Sequence, residues 1–100
     1  MQRKYDDDNV FWKIIKGEIS CEKVYEDEEV LCFHDINPKS PVHILLVPKK
    51  QFVCFDDFIE GSSDEEIAYF FKTARKIANS LGCRSYRIVT NCGEGAEQVV

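Results

Sequence analysis

Apolar residues in this chain change their spacing several times, and each change predicts an element. Between Val10 and Lys16 the apolar side chains Phe11, Ile14 and Ile15 fall at i, i+3 and i+4. That is one face of a helix, and Gly17 follows where a left-handed residue commonly ends one. Lys23–Tyr25 and Val30–Phe33 are short runs with Val24, Tyr25, Val30 and Phe33 as β-formers, set around the acidic stretch Glu26–Glu29. They predict a hairpin. Asp35-Ile36-Asn37-Pro38 breaks the pattern and Pro41 ends the loop; His43–Val47 then resumes an apolar run, too short for a helix and bounded by Pro48, which predicts a third strand. Ser63 and Glu66 have the spacing of a capping box, and Ile67, Phe70, Phe71, Ala74, Ile77, Ala78 and Leu81 recur at helical intervals before Gly82. Ser85–Asn91 sets Tyr86, Ile88 and Thr90 against Arg87 and Val89, predicting a fourth strand that runs into the glycine-containing loop Cys92–Ala96. The class is α+β, with a mainly antiparallel sheet, one short N-terminal helix and one long helix.

Composition narrows the function classes. A chain of 100 residues is expected to be a single domain, residues 1–100, with one core and at most one site. It is 44% hydrophobic and 31% charged, and apolar runs such as Ile44–Val47 fall far short of the ~20 residues that span a bilayer. No membrane partner is expected. Met1–Asn9 starts basic but has no apolar stretch behind it, so it does not read as a secretory signal, and the expected location is cytoplasmic. Tyr5–Asn9, with three aspartates, reads as a solvated lead-in. With 18 acidic against 13 basic side chains the net charge is −5, and the one short basic cluster is Lys49-Lys50. An extended nucleic acid is therefore not expected, whereas a mononucleotide needs only a few local donors. The five cysteines, Cys21, Cys32, Cys54, Cys83 and Cys92, fit neither a disulfide framework nor a metal knuckle, and read as reduced thiols.

The candidate chemistry sits at the loop between the second and third predicted strands. Asp35 stands where a strand runs out, and a carboxylate there can accept from both hydroxyls of a ribose. In isolation, Asp-Ile-Asn-Pro reads first as turn chemistry. Phe11, Ile14 and Phe33 could present an apolar slot to a flat base, or simply pack a core. His34 and His43, the two histidines, are each compatible with a hydrogen-bonded structural role.

Val24–Lys50, VYEDEEVLCFHDINPKSPVHILLVPKK, with FHDI intact as Phe33, His34, Asp35 and Ile36, resembles the histidine-triad (HIT) family, in particular its nucleoside phosphoramidate hydrolase branch. The likeness extends from about Asp8 to Val100. It implies that Asp35 binds the ribose and that Val10, Phe11, Ile14, Phe33, His34 and Ile36 line the base pocket. It also places His43 near the phosphate side of the active site without making it the nucleophile. Asn91-Cys-Gly-Glu-Gly-Ala-Glu-Gln98-Val-Val100 is similar to the family segment that precedes a His-x-His-x-His triad. Asn91, Gly93, Ala96, Gln98 and Val100 match, so Asn91 and Gln98 carry over as nucleotide contacts. Glu97 replaces a glycine and Val99 a hydroxyl residue, and a carboxylate near a phosphate repels it.

By this resemblance the triad, whose middle histidine attacks the α-phosphorus to give a nucleotidyl-histidine, begins beyond Val100. The expected chain is thus the front part of a nucleotide phosphoramidate or dinucleotide hydrolase, inactive by itself, with no catalytic residue and the triad-bearing last strand missing. The alternative is a non-catalytic nucleotide-binding or dimeric interaction module, and a further one is an unrelated α+β protein with a coincidental hairpin. The implied ligand is a purine nucleoside monophosphate or related nucleotide, and the implied assembly is a homodimer. Contact is expected through the Ile67–Leu81 helix and Ser85–Asn91. Bacterial relatives often carry Cys-x-x-Cys for zinc at the first helix; Asn9 and Trp12 occupy those places here, so no metal is expected, and no cofactor.

Overall fold

In a computed structural model, residues 8–35 and 42–93 are described. They fall into two compact units, divided between Gln51 and Phe52.

The first unit begins with α1 (Val10–Ile15). Asn9 caps it, its Oδ1 accepting from the Phe11 N–H at 2.8 Å and the Trp12 N–H at 3.4 Å, which satisfies two of the amide donors that a helix start leaves unpaired. Gly17, at φ +83°, ends it as its position in the pattern predicts. Three strands follow, β1 (Lys23–Glu26), β2 (Val30–His34) and β3 (Ile44–Pro48), in an antiparallel sheet of order β1-β2-β3. Each lies within a residue or so of the run that predicted it.

The β1–β2 connection contains no glycine, and a carboxylate organises it. Asp27 Oδ1 accepts from the Glu29 N–H at 2.8 Å and the Val30 N–H at 2.9 Å, the Asp27 N–H donates to the Val30 carbonyl at 3.0 Å, and the Tyr25 hydroxyl donates to Asp27 Oδ2 at 2.9 Å. This is an Asx-type turn. Val30, Leu31, Cys32 and Phe33 are all buried. Because successive strand residues point to opposite faces, four consecutive buried positions mean that both faces of β2 are covered.

The second unit holds α2 (Phe55–Gly61) and α3 (Asp64–Ser80). The capping box on α3 is complete: Ser63 Oγ accepts from the Glu66 N–H at 3.1 Å, and Glu66 Oε1 accepts from the Ser63 N–H at 3.0 Å. Phe52, Phe58, Phe70 and Phe71 form a chain of ring contacts, with centroids 5.5, 4.9 and 5.5 Å apart in turn. Phe70 and Phe71, adjacent in sequence, touch edge to face.

One expectation fails here. Ser85–Asn91 is not a strand: no ladder bonds form along it, and Tyr86, Ile88 and Val89 are 49, 61 and 64% exposed. Alternation describes which way side chains would point in a sheet, but the ladder needs a neighbouring backbone, and none of the three strands supplies one. Among the described residues no helix is long and apolar enough to cross a membrane.

Candidate functional site

The register of the sheet decides which candidate residues meet. Phe33 pairs with Leu45 and His34 with Ile44, and the next rung is closed by the Asp35 N–H donating to the His43 carbonyl at 3.1 Å. Asp35 and His43 therefore stand opposite one another on the face that Phe33 occupies, since residues two apart share a face. His43 Nε2 lies 3.4 Å from Asp35 Oδ2, with the two side chains 31 and 21% exposed. The Phe11 ring reaches the same face from α1, its centroid 6.2 Å from that of Phe33 and its plane tilted by 53°. An aromatic pair thus sits beside a half-buried carboxylate that a histidine touches. The local cause is the alternation within Phe33-His34-Asp35 combined with the cap that starts α1 at Asn9.

The same register turns His34 the other way. Its backbone N–H donates to the Glu22 carbonyl at 3.0 Å, while its side chain belongs to the opposite face, with Cys32 and Ile44. The structure therefore separates His34 from the Phe33 and Asp35 side chains. Val10, at the start of α1, is 38% exposed. Ile14 lines an open cleft of about 300 Å³ with Ile15, Lys16, Gly17, Ile19, Ser20, Cys21 and Lys23. That cleft includes neither Asp35 nor His43, so it does not mark the chemistry. Ile36 and Gln98 lie outside the described residues. Asn91 belongs to the second unit and is exposed.

Electrostatics around the hairpin were not foreseen from sequence. Glu26 is gripped by Lys23 Nζ at 2.8 Å and Lys49 Nζ at 2.6 Å. The hydrogen bonds from Lys23 and then Lys49 pull its carboxyl down to about 2, against an ordinary value of 4.5. In turn Glu26 raises the Lys23 ammonium. Half of the Lys49-Lys50 basic pair is thereby committed to tying the end of β1 to the residue after β3, across the end of β2. The only sequence signal was charge of opposite sign on two strands, and it becomes informative once the strand order is known. Among the described residues, no group of three or more His, Cys, Asp or Glu side chains is arranged to hold a metal ion.

A model of the HIT domain matches residues 16–100. The chain belongs to the HIT family. A 13.2 kDa HIT-like protein of Azospirillum brasilense is 47% identical over 102 aligned residues, covering 100% of this chain and 84% of that one. Among solved structures, a HIT family hydrolase from Clostridium thermocellum superposes with a TM-score of 0.81 at 42% identity, covering 93% of this chain and 83% of that one. A histidine triad nucleotide-binding protein from Candida albicans gives 0.80 at 28% identity, over 91 and 66% respectively. The HIT-like α+β fold follows from these matches, with a small antiparallel sheet and helices. The Phe33–Ile36 motif and the Asp35–His43 contact lie within the stretch matched by the HIT model.

Proposed function

We propose that this HIT protein binds a purine nucleoside monophosphate, or a related nucleotide, on the β2 face that carries Phe33 and Asp35. Phe11, backed by the buried Phe33 ring, faces the base, with Val10 and Ile14 extending the apolar wall, and Asp35 accepts from the ribose hydroxyls. The observation that carries this reading is the placement of an aromatic pair and a carboxylate on one face, two residues apart, at the end of a strand. Base stacking is tolerant of geometry, whereas two hydroxyls on one carboxylate fix the sugar; together they select a ribonucleoside. His43, in contact with Asp35, holds the carboxylate in place. Asn91, Gln98, Ile36 and His34 remain further proposed contacts, carried over from the family motif.

The reaction proposed for the complete catalytic unit is hydrolysis of a nucleoside phosphoramidate or dinucleotide through a nucleotidyl-histidine. The two histidines in these 100 residues are His34 and His43, and neither is assigned the attacking role. The nucleophile of that reaction must then come from outside this stretch of chain, and what these residues supply is recognition of the nucleoside. Assembly as a homodimer, a single-domain organisation and a cytoplasmic location belong to the same reading.

Calorimetry with adenosine monophosphate and its 2′-deoxy analogue tests it. A hydrogen bond to a charged acceptor contributes roughly 1.5–3 kcal/mol, so the ribonucleotide should bind on the order of 10- to 100-fold more tightly, and Asp35→Ala should erase the difference. Equal affinity for both sugars in the unmodified protein rules out the role given to Asp35.

A further inference from the structure

The open cleft of about 300 Å³ that Ile14 lines lies between the C-terminal end of α1 and the start of β1. Two of its residues tie it to the Phe33 face. Lys23 pairs directly with Phe33 across β1 and β2, and residues directly opposite in an antiparallel pair point to the same side. Ile14 stands three residues after Phe11 in α1, on the same stripe and about 4.5 Å further along the helix. Since the strand order is β1-β2-β3, three features follow one another across this face: Asp35 with His43 where β2 meets β3, the Phe11–Phe33 pair on β2, and the cleft at β1. A nucleoside whose sugar sits at Asp35 and whose base faces Phe11 therefore directs the base edge remote from the ribose at the cleft.

The lining says what the cleft accepts. Ile14, Ile15 and Ile19 give it apolar walls, and Cys21 adds a thiol. Lys16 and Lys23 line it as well, but each ammonium already has a carboxylate: Lys16 Nζ lies 3.4 Å from Glu18 Oε2, and Lys23 Nζ 2.8 Å from Glu26 Oε1. A charged group gains little where the charges are already matched, so burial of apolar surface is the driving force the cleft offers. At about 300 Å³ it stands at the small end of ligand pockets and suits one ring or a short alkyl chain. The second nucleoside of a dinucleotide does not fit this place, because it hangs from the phosphate, on the other side of the ribose from the base.

We propose that the site selects purine nucleoside monophosphates carrying a neutral apolar substituent on the base edge remote from the ribose, such as an N6-benzyl or N6-alkyl group, and that the α1–β1 cleft receives it. This inference rests on the nucleotide reading of the Phe33 face. Ile19 is the specificity-determining residue: it is 38% exposed, walls the cleft, and has no part in the base wall or the ribose contact.

Calorimetry with adenosine monophosphate and N6-benzyladenosine monophosphate tests it, together with iodoacetamide labelling of Cys21 followed by peptide mapping. Because the cleft is open to solvent and buries only part of the substituent, the benzyl nucleotide should bind on the order of 10-fold more tightly. It should also slow the labelling of Cys21, whereas adenosine monophosphate at equal occupancy should not. Ile19→Trp, which fills the cleft, should bring the two affinities together. Should that variant fold poorly, the protection of Cys21 in the unmodified protein still decides. If adenosine monophosphate binds with its preference over the 2′-deoxy analogue, but the benzyl nucleotide binds no more tightly or binds without protecting Cys21, the inference is overturned and the nucleotide reading stands. If neither nucleotide binds, both are overturned.

Discussion

Replacing Asp27 with alanine tests the link from turn to site most directly. The carboxylate accepts from the Glu29 and Val30 N–H groups and from the Tyr25 hydroxyl. The three losses are unequal. The Glu29 N–H lies in the exposed turn and regains water at little cost, as a removed surface bond does. Val30 is 2% exposed, so its N–H has less access to solvent, and leaving it unpaired costs about 1–3 kcal/mol. Loss of the Tyr25 bond adds up to about 1 kcal/mol, giving about 1–4 kcal/mol in total. For a chain of this size that lowers the Tm by roughly 4–30 °C. Asp27→Asn keeps an acceptor oxygen and should recover more than half of the loss, and Tyr25→Phe isolates the hydroxyl contribution. The same turn fixes the β1–β2 register, and a slip of one residue would turn Phe33 and Asp35 to the opposite face. Nucleotide affinity should therefore fall by more than the unfolded fraction alone explains. Thermal and urea melts read the first effect and calorimetry the second. An alanine variant within about 0.5 kcal/mol of the unmodified protein, the scatter of an ordinary surface substitution, would refute the assignment of Asp27 as the residue that holds the turn.

Three further outcomes are expected. The Glu26 carboxyl is held at about 2 when folded against 4.5 ordinarily, so its contribution is fully present above about pH 4.5 and is lost as pH falls toward 2. In low-salt melts Glu26→Gln should flatten part of the acid-side decline, and because the network is solvent-exposed, added salt should shrink the difference. If the proposed homodimer joins through α3 and Ser85–Asn91, Ile88→Lys should shift light scattering from two chains toward one, while a monomer from the unmodified chain at high micromolar concentration counts against that surface. In steady-state assays the 100-residue protein should release no product from nucleoside phosphoramidates above a buffer control, and turnover would show that a residue within it supplies the nucleophile.

Local elements are legible in the sequence because their causes are local. The helix starting after Asn9, the capping box of Ser63 and Glu66 and the left-handed Gly17 depend on side chains reaching backbone groups a few residues away, so spacing alone exposes them. The FHDI motif likewise puts Phe33 and Asp35 on one strand face by alternation alone, since a period of two needs no partner. What required the tertiary structure depends on a second segment. Ser85–Asn91 has the alternation of a strand yet forms none, because a strand exists only where a neighbouring backbone accepts its ladder bonds. The helix α2 leaves no mark in the pattern, because its seven residues show no sustained period and its N-cap Cys54 lends no capping side chain. The grip of Lys23 and Lys49 on Glu26, the meeting of His43 with Asp35 and the turning of His34 to the other face join residues through strand register or chain reversal. A sequence carries no distance between such residues until the backbone has folded around them.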